Sequence, residues 1–118
     1  PAATVEMLSE RSPQDYAIPA PWEEYTVRDE AASERMVYKW FGGGRKQLLV
    51  EIALQLPEDS DQPGETETVL IGEVWGTYCD ENRSLLLHDG MMNIYIRYWN
   101  GSRDDVLGYA ATLIEANQ

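Results

Sequence analysis

From Met36 onward, apolar residues recur at every second position, and this period limits the fold more than any other feature. In the clearest segment one face is aliphatic and the other is mixed: Leu48, Val50, Ile52, Leu54 and Leu56 against Gln47, Leu49, Glu51, Ala53 and Gln55. Successive side chains of a strand point to opposite faces of a sheet, so this alternation is typical of strands with one buried face. The chain after residue 35 is therefore predicted to be mainly β.

Turn-forming residues divide this region into six predicted strands. The first two meet across Gly42–Gly44, because glycine adopts positive φ at no steric cost. A long acidic loop at residues 57–66 follows them, and the other four predicted strands are 67–79, 84–88, 92–99 and 106–115. The last of these segments also suits a helix, so a carboxy-terminal helix packed on a five-stranded sheet is the alternative.

Short connections favour antiparallel pairing, since a parallel crossover needs a dozen residues or more. We predict a single small antiparallel meander that is closed as a barrel or folded as a two-sheet sandwich. Around the turn at residues 80–83, Cys79 should pair with Ser84 and Trp75 with His88. This register separates the only cysteine from the only histidine by roughly 13 Å, which is too far for a catalytic dyad.

The first 33 residues differ in composition, with four prolines and no glycine. Each proline biases its preceding residue toward extended geometry, so we predict an extended acidic arm at 1–33 before a β domain at 34–118. Short helical segments are expected at residues 4–11 and near Asp29. The aromatic residues of the arm are candidates to cover one face of the sheet.

Charge is sorted by segment in a chain whose formal net charge is −12. Residues 57–81 contain eight acids and no base, residues 1–34 contain eight acids and two bases, and only residues 35–56 are net positive. A field of this sign attracts cationic partners and repels nucleic acid and anionic membranes. We expect no direct nucleic-acid contact, and no membrane insertion because no apolar run approaches about 18 residues.

Site-like features of the chain have ordinary structural explanations. The acids of the 57–66 loop lack the glycine and terminal glutamate of a calcium loop, and one histidine with one cysteine cannot form a usual zinc site. Gly42–Lys46 lacks the strand and helix context of a phosphate-binding loop. We predict no metal, cofactor or catalytic residue. The single cysteine favours a reducing compartment, so a soluble, cytoplasmic protein is expected.

These observations predict a non-enzymatic acidic module that docks on a basic surface of a larger protein or complex. It would act as an inhibitor, an immunity or assembly factor, or a small accessory subunit, with nucleic-acid mimicry as one form of docking. Aromatic residues would anchor the contact and acids would steer it. The predicted partner-binding residues are Tyr16, Trp22, Glu23, Glu24, Tyr25, Glu58, Asp59, Asp61, Tyr95, Arg97 and Trp99.

Two other functions fit parts of the pattern. The main alternative is a small β-barrel that carries an apolar or aromatic ligand in its interior. An enzyme that uses carboxylates such as Glu73 or Asp80 is the third reading. The fifth predicted strand bears on the choice, because Tyr95, Arg97 and Trp99 share one face and are either an exposed contact stripe or covered by the arm.

Overall fold

A computed structural model describes residues 11–118 of the chain. It contains a short 3₁₀ turn at Pro13–Asp15, seven strands and one α-helix. The bounds are β1 Thr26–Ala32, β2 Met36–Gly43, β3 Lys46–Ala53, β4 Thr66–Ile71, β5 Val74–Cys79, β6 Ser84–Asp89, β7 Met92–Trp99 and α1 Arg103–Ala116. The helix predicted at residues 4–11 lies outside the described residues, apart from its last position.

All seven strands form one antiparallel sheet in the order β1-β2-β3-β7-β6-β5-β4. The prediction of a mainly β, antiparallel fold is confirmed. The predicted barrel or two-sheet sandwich is wrong, because β1 and β4 stay at opposite edges and no second sheet is present in residues 11–118. The predicted single meander is also wrong, because β3 pairs with β7 and not with β4, the next strand in sequence. A helix covers the apolar face of the sheet instead of another sheet.

Three segments differ from their predicted form. Residues 67–79 are two strands, because Gly72 adopts a φ of +61° and turns the chain between Ile71 and Val74. Residues 29–33 are not helical: Thr26–Ala32 pairs with β2 as an edge strand. The last segment is a helix, because the Ser102 hydroxyl accepts a hydrogen bond from the Asp105 amide and the Asp105 carboxylate accepts one from the Ser102 amide.

The core lies between the sheet and α1. Two rows of fully buried aliphatic side chains run across β3, β7 and β6: Val50, Ile96 and Leu85 form one, and Ile52, Ile94 and Leu87 form the other. The helix contributes side chains at a spacing of three and four residues, which is one face of an α-helix: Val106, Tyr109, Ala110, Leu113 and Ile114. The alternation of apolar residues in β3 therefore identifies the buried face of this strand as far as Ile52.

The segment before β1 packs on this same side of the molecule. Tyr16 is buried in the core, and its hydroxyl donates to the Asp89 carboxylate over 2.8 Å. Trp22 packs on Tyr98 with ring centroids 6.1 Å apart, and the Tyr109 hydroxyl donates to the Pro19 carbonyl. The aromatic residues of the predicted arm thus cover the helix side of the sheet. The opposite face is left for another segment.

Among the described residues, no helix combines the length and the apolar character needed to cross a bilayer.

Candidate binding surface

Residues 54–65, here named the strap, cross the face of the sheet opposite α1. The strap leaves the end of β3 and reaches β4, which lies beyond β7, β6 and β5 in the sheet. Side-chain hydrogen bonds fix its middle, among them Ser60 to Glu51, Tyr95 to the Asp61 carbonyl, and Gln62 to the Thr77 and Ser84 carbonyls. The long acidic loop of the sequence is therefore tied to four strands.

Strap carboxylates are exposed and carry uncompensated charge. Glu58, Asp59 and Asp61 are exposed. Ion pairs within residues 11–118 involve only three other acids, which are Glu67 and Asp104 with Arg103, and Asp80 with Arg83. No strap carboxylate in the described structure has a cation within 4.0 Å. The strap therefore presents negative charge on a backbone whose position is already fixed.

Glu51 lies under the strap and has a perturbed pKa. Burial raises the pKa of this carboxyl, the hydrogen bond from Ser60 opposes the rise, and the nearby Asp59 carboxylate adds to it. The Ser60 hydroxyl donates to Oε1 over 2.6 Å. A carboxyl that titrates above its usual range beneath the strap links the packing of the strap to pH.

A second group of acids, here named the acidic corner, lies where the strap meets β4: Glu65, Glu67, Asp80 and Glu81. The Arg103 guanidinium holds the pKa of Glu67 below its usual range, and the hydrogen bond from the Tyr78 hydroxyl, followed by Arg83, does the same for Asp80. Both carboxyls are therefore ionised at neutral pH. The strap and the acidic corner are adjacent, because Gly64 lies against the Glu81 side chain.

An arginine–tryptophan stack occupies the strap's side of the sheet near the ends of β2 and β7. The Trp40 and Trp99 rings are stacked, with centroids 5.6 Å apart and planes 14° apart. The Arg97 guanidinium lies 4.5 Å from the Trp99 centroid, and that of Arg28 lies 5.5 Å from the Trp40 centroid. Arg97 Nε is buried without a hydrogen-bond partner in the described residues. These four side chains form a cationic and partly apolar patch beside the acidic strap.

The predicted site residues fall into three groups. Glu58, Asp59 and Asp61 lie on the strap, with Tyr95 buried beneath it, so the exposed stripe on β7 is reduced to the half-buried Arg97 and Trp99. Tyr16 and Trp22 lie on the helix side, where they pack against the fold. Glu23, Glu24 and the 40% exposed Tyr25 lie at the start of β1, away from the strap. Their roles in partner binding stay predictions.

One exposed apolar pair was not predicted. Leu70 on β4 is directly opposite Trp75 on β5, and these side chains are 50% and 58% exposed. The predicted single strand over residues 67–79 does not allow this pairing, because only the turn at Gly72 brings the two residues together. The signal in the sequence was Gly72-Glu73, which interrupts an otherwise regular strand.

No arrangement in the described residues supports a metal site or the cysteine–histidine dyad. They contain no group of three or more side chains placed to bind a metal ion. The predicted register is confirmed, with Cys79 opposite Ser84 and His88 opposite Trp75. Cys79 is buried, while His88 is exposed and hydrogen-bonded to Asn93.

Comparisons with known proteins give no family for this chain: no protein-family model, curated protein or solved structure matches it significantly.

Proposed function

We propose that this chain is a non-enzymatic binding module that docks its acidic strap on a basic surface of a larger protein or complex. The observation that carries the proposal is the display of Glu58, Asp59 and Asp61 on a backbone fixed to the sheet, with no cation of the described residues within 4.0 Å. Inhibitor, immunity factor, assembly factor and accessory subunit are the roles that such docking serves.

Fixing the strap before binding favours affinity. Association costs free energy for every loop and side chain that becomes ordered, and a loop already held by hydrogen bonds avoids much of that cost. The uncompensated charge of the strap and the acidic corner would increase the association rate with a cationic partner. The arginine–tryptophan stack lies beside the strap, where Trp99 could supply an apolar contact at the centre of the interface.

The alternative of a small carrier loses its structural basis. A carrier of that kind needs a barrel interior, whereas the described sheet has two separate edges and its apolar face is filled by α1 and by the segment before β1. The cytoplasmic location stays a prediction.

The test is partner capture followed by affinity measurement with matched charge variants. A tagged chain is used to capture partners from the source organism at low salt, and the dissociation constant of the purified partner is measured at about 50 and 500 mM salt. One triple variant neutralises the strap: Glu58→Gln, Asp59→Asn and Asp61→Asn. The control neutralises three exposed acids elsewhere: Glu30→Gln, Glu34→Gln and Glu115→Gln.

We expect the strap variant to weaken binding by about tenfold or more at low salt and the control by about threefold at most, because charge inside an interface outweighs remote charge. High salt should reduce the difference between the two variants. Equal effects of the two triple variants would show that only net charge matters. Binding that does not respond to salt would refute steering by the acidic surface.

A further inference from the structure

The two edges of the sheet differ in how they are protected against pairing. The β1 edge is interrupted by a bulge between Val27 and Asp29 and carries a run of charged residues. Bulges and charges of this kind discourage the addition of another strand. The β4 edge pairs with β5 in one unbroken register from Thr66 to Ile71, and it contains no proline or lysine. Only β4 therefore presents a regular, unprotected edge among the described strands.

Exposed apolar surface lies directly beside this edge. Leu70 and Trp75 are cross-strand neighbours on the strap's side of the sheet, and each keeps half or more of its side chain exposed. The strap contacts Thr77 on β5 but does not extend to cover this pair. A strand-addition site has two components: exposed apolar side chains, and free backbone donors and acceptors beside them.

Charge determines which kind of strand the edge can accept. The acidic corner lies at the Thr66 end of β4, and Glu67 is on the opposite face of the strand from Leu70. A second copy of this chain would bring together two molecules that each have a net charge of −12, which is unfavourable. Glu67 is already paired with Arg103, whereas Glu65 and Glu81 of the acidic corner have no ion pair within residues 11–118. An incoming strand therefore needs basic side chains near the acidic corner and apolar ones on the strap's side.

We propose that β4 is a strand-addition site for an extended partner segment in which apolar and basic residues alternate. The inference rests on the proposed function, because it specifies which part of the basic partner binds next to the acidic surface, namely an extended segment that pairs with β4. Backbone hydrogen bonds to β4 would bind the segment, its apolar side chains would pack on Leu70 and Trp75, and a basic residue would pair with Glu65, which directly precedes β4.

The test uses synthetic peptides as probes, so it does not require the natural partner. A peptide of alternating lysine and valine and a matched peptide of alternating glutamate and valine, both as long as β4, are titrated into the isotope-labelled full chain. Amide shifts are followed by NMR. We expect the lysine–valine peptide alone to bind, with the largest shifts in Thr66–Ile71, and Leu70→Lys to weaken its binding by about tenfold or more.

The control is Val27→Lys, which places the same side chain at the 39% exposed position on the β1 edge and should change peptide binding by about twofold at most. Circular dichroism checks that both variants are folded. Peptide shifts confined to the strap, or equal binding to Leu70→Lys and the unmodified chain, would overturn the strand-addition site.

The two proposals fail separately. If the strap triple variant no longer binds the natural partner, whereas Leu70→Lys binds it with unchanged affinity, strand addition at β4 is refuted and docking through the strap stands. The opposite outcome is that the lysine–valine peptide binds β4 whereas neither the strap substitutions nor salt changes the affinity of the natural partner. In that case docking through the strap is refuted and the edge site stands.

Discussion

Gln62 is the side chain that fixes the strap most extensively, and replacing it by alanine tests how much the fold depends on that attachment. Its Nε2 donates to the Thr77 carbonyl at 2.8 Å and to the Ser84 carbonyl at 3.2 Å, and its Oε1 accepts from the Thr77 hydroxyl at 2.8 Å. Ser84 is fully buried, so water does not easily replace the donor that its carbonyl loses.

The expected loss follows from these three hydrogen bonds. At about 1 kcal/mol each the gross value is about 3 kcal/mol, and partial replacement by water at the half-buried Gln62 reduces it to about 2 kcal/mol. For a domain of this size, 1 kcal/mol corresponds to about 4 °C in Tm, so Gln62→Ala should lower Tm by about 8 °C.

The assay is urea unfolding followed by tryptophan fluorescence, with amide hydrogen exchange to locate the effect. Gln55→Ala is the matched control, because Gln55 lies on the same strap, is exposed and has no side-chain hydrogen bond within residues 11–118. It should change the unfolding free energy by no more than about 0.5 kcal/mol. Exchange of the Ser60 amide, which donates to the Pro57 carbonyl, should accelerate only in Gln62→Ala. If both variants lose the same small amount of stability, Gln62 does not hold the strap, and the acidic loop is not fixed to the sheet through this side chain.

Two further predictions concern the sheet beneath the strap. Gly76→Ala should destabilise the fold by about 2 to 3 kcal/mol, because an added Cβ would lie 2.5 Å from the Leu86 carbonyl oxygen and the backbone has to move; a free energy of unfolding that is unchanged in urea would contradict this packing. Glu51→Gln should leave stability near pH 4 almost unchanged and raise it at pH 8, because a carboxyl with a raised native pKa contributes stability that is lost as pH rises through that value. Denaturation curves across this pH range test the sign, and a glutamine variant that is less stable at pH 8 would show that the ionised carboxylate is favoured in the fold.

Local sequence patterns predicted those strands that are defined by their own alternation and by glycine at a tight turn. The hairpin around Gly42–Gly44 and the pairing of β5 with β6 are of this kind. The segment 67–79 shows the limit, because it holds two glycines with opposite roles. Gly72 turns the chain, whereas Gly76 lies inside a strand against Leu86 and Leu87. Composition does not distinguish them; only the neighbouring strand does.

Other features depended on contacts that are distant in sequence. Thr26–Ala32 has no apolar alternation and becomes a strand through its pairing with β2. For α1, apolar residues fit both periods, and the decisive signal was the capping box formed by Ser102 and Asp105. The acids of the candidate surface were predicted from composition. Their attachment across the sheet was not, because it requires β7 to lie between β3 and β6.

The strand order also has a kinetic consequence. Within β1–β3 and within β4–β7, every strand pairs with its neighbour in sequence, so each half is a local meander. A single ladder, β3 with β7, joins the halves and contains core pairs such as Val50 with Ile96. Closing this seam requires bringing together segments that are far apart along the chain, which costs more loop entropy than any hairpin. We therefore expect both meanders to form early and the pairing of β3 with β7 to limit the folding rate.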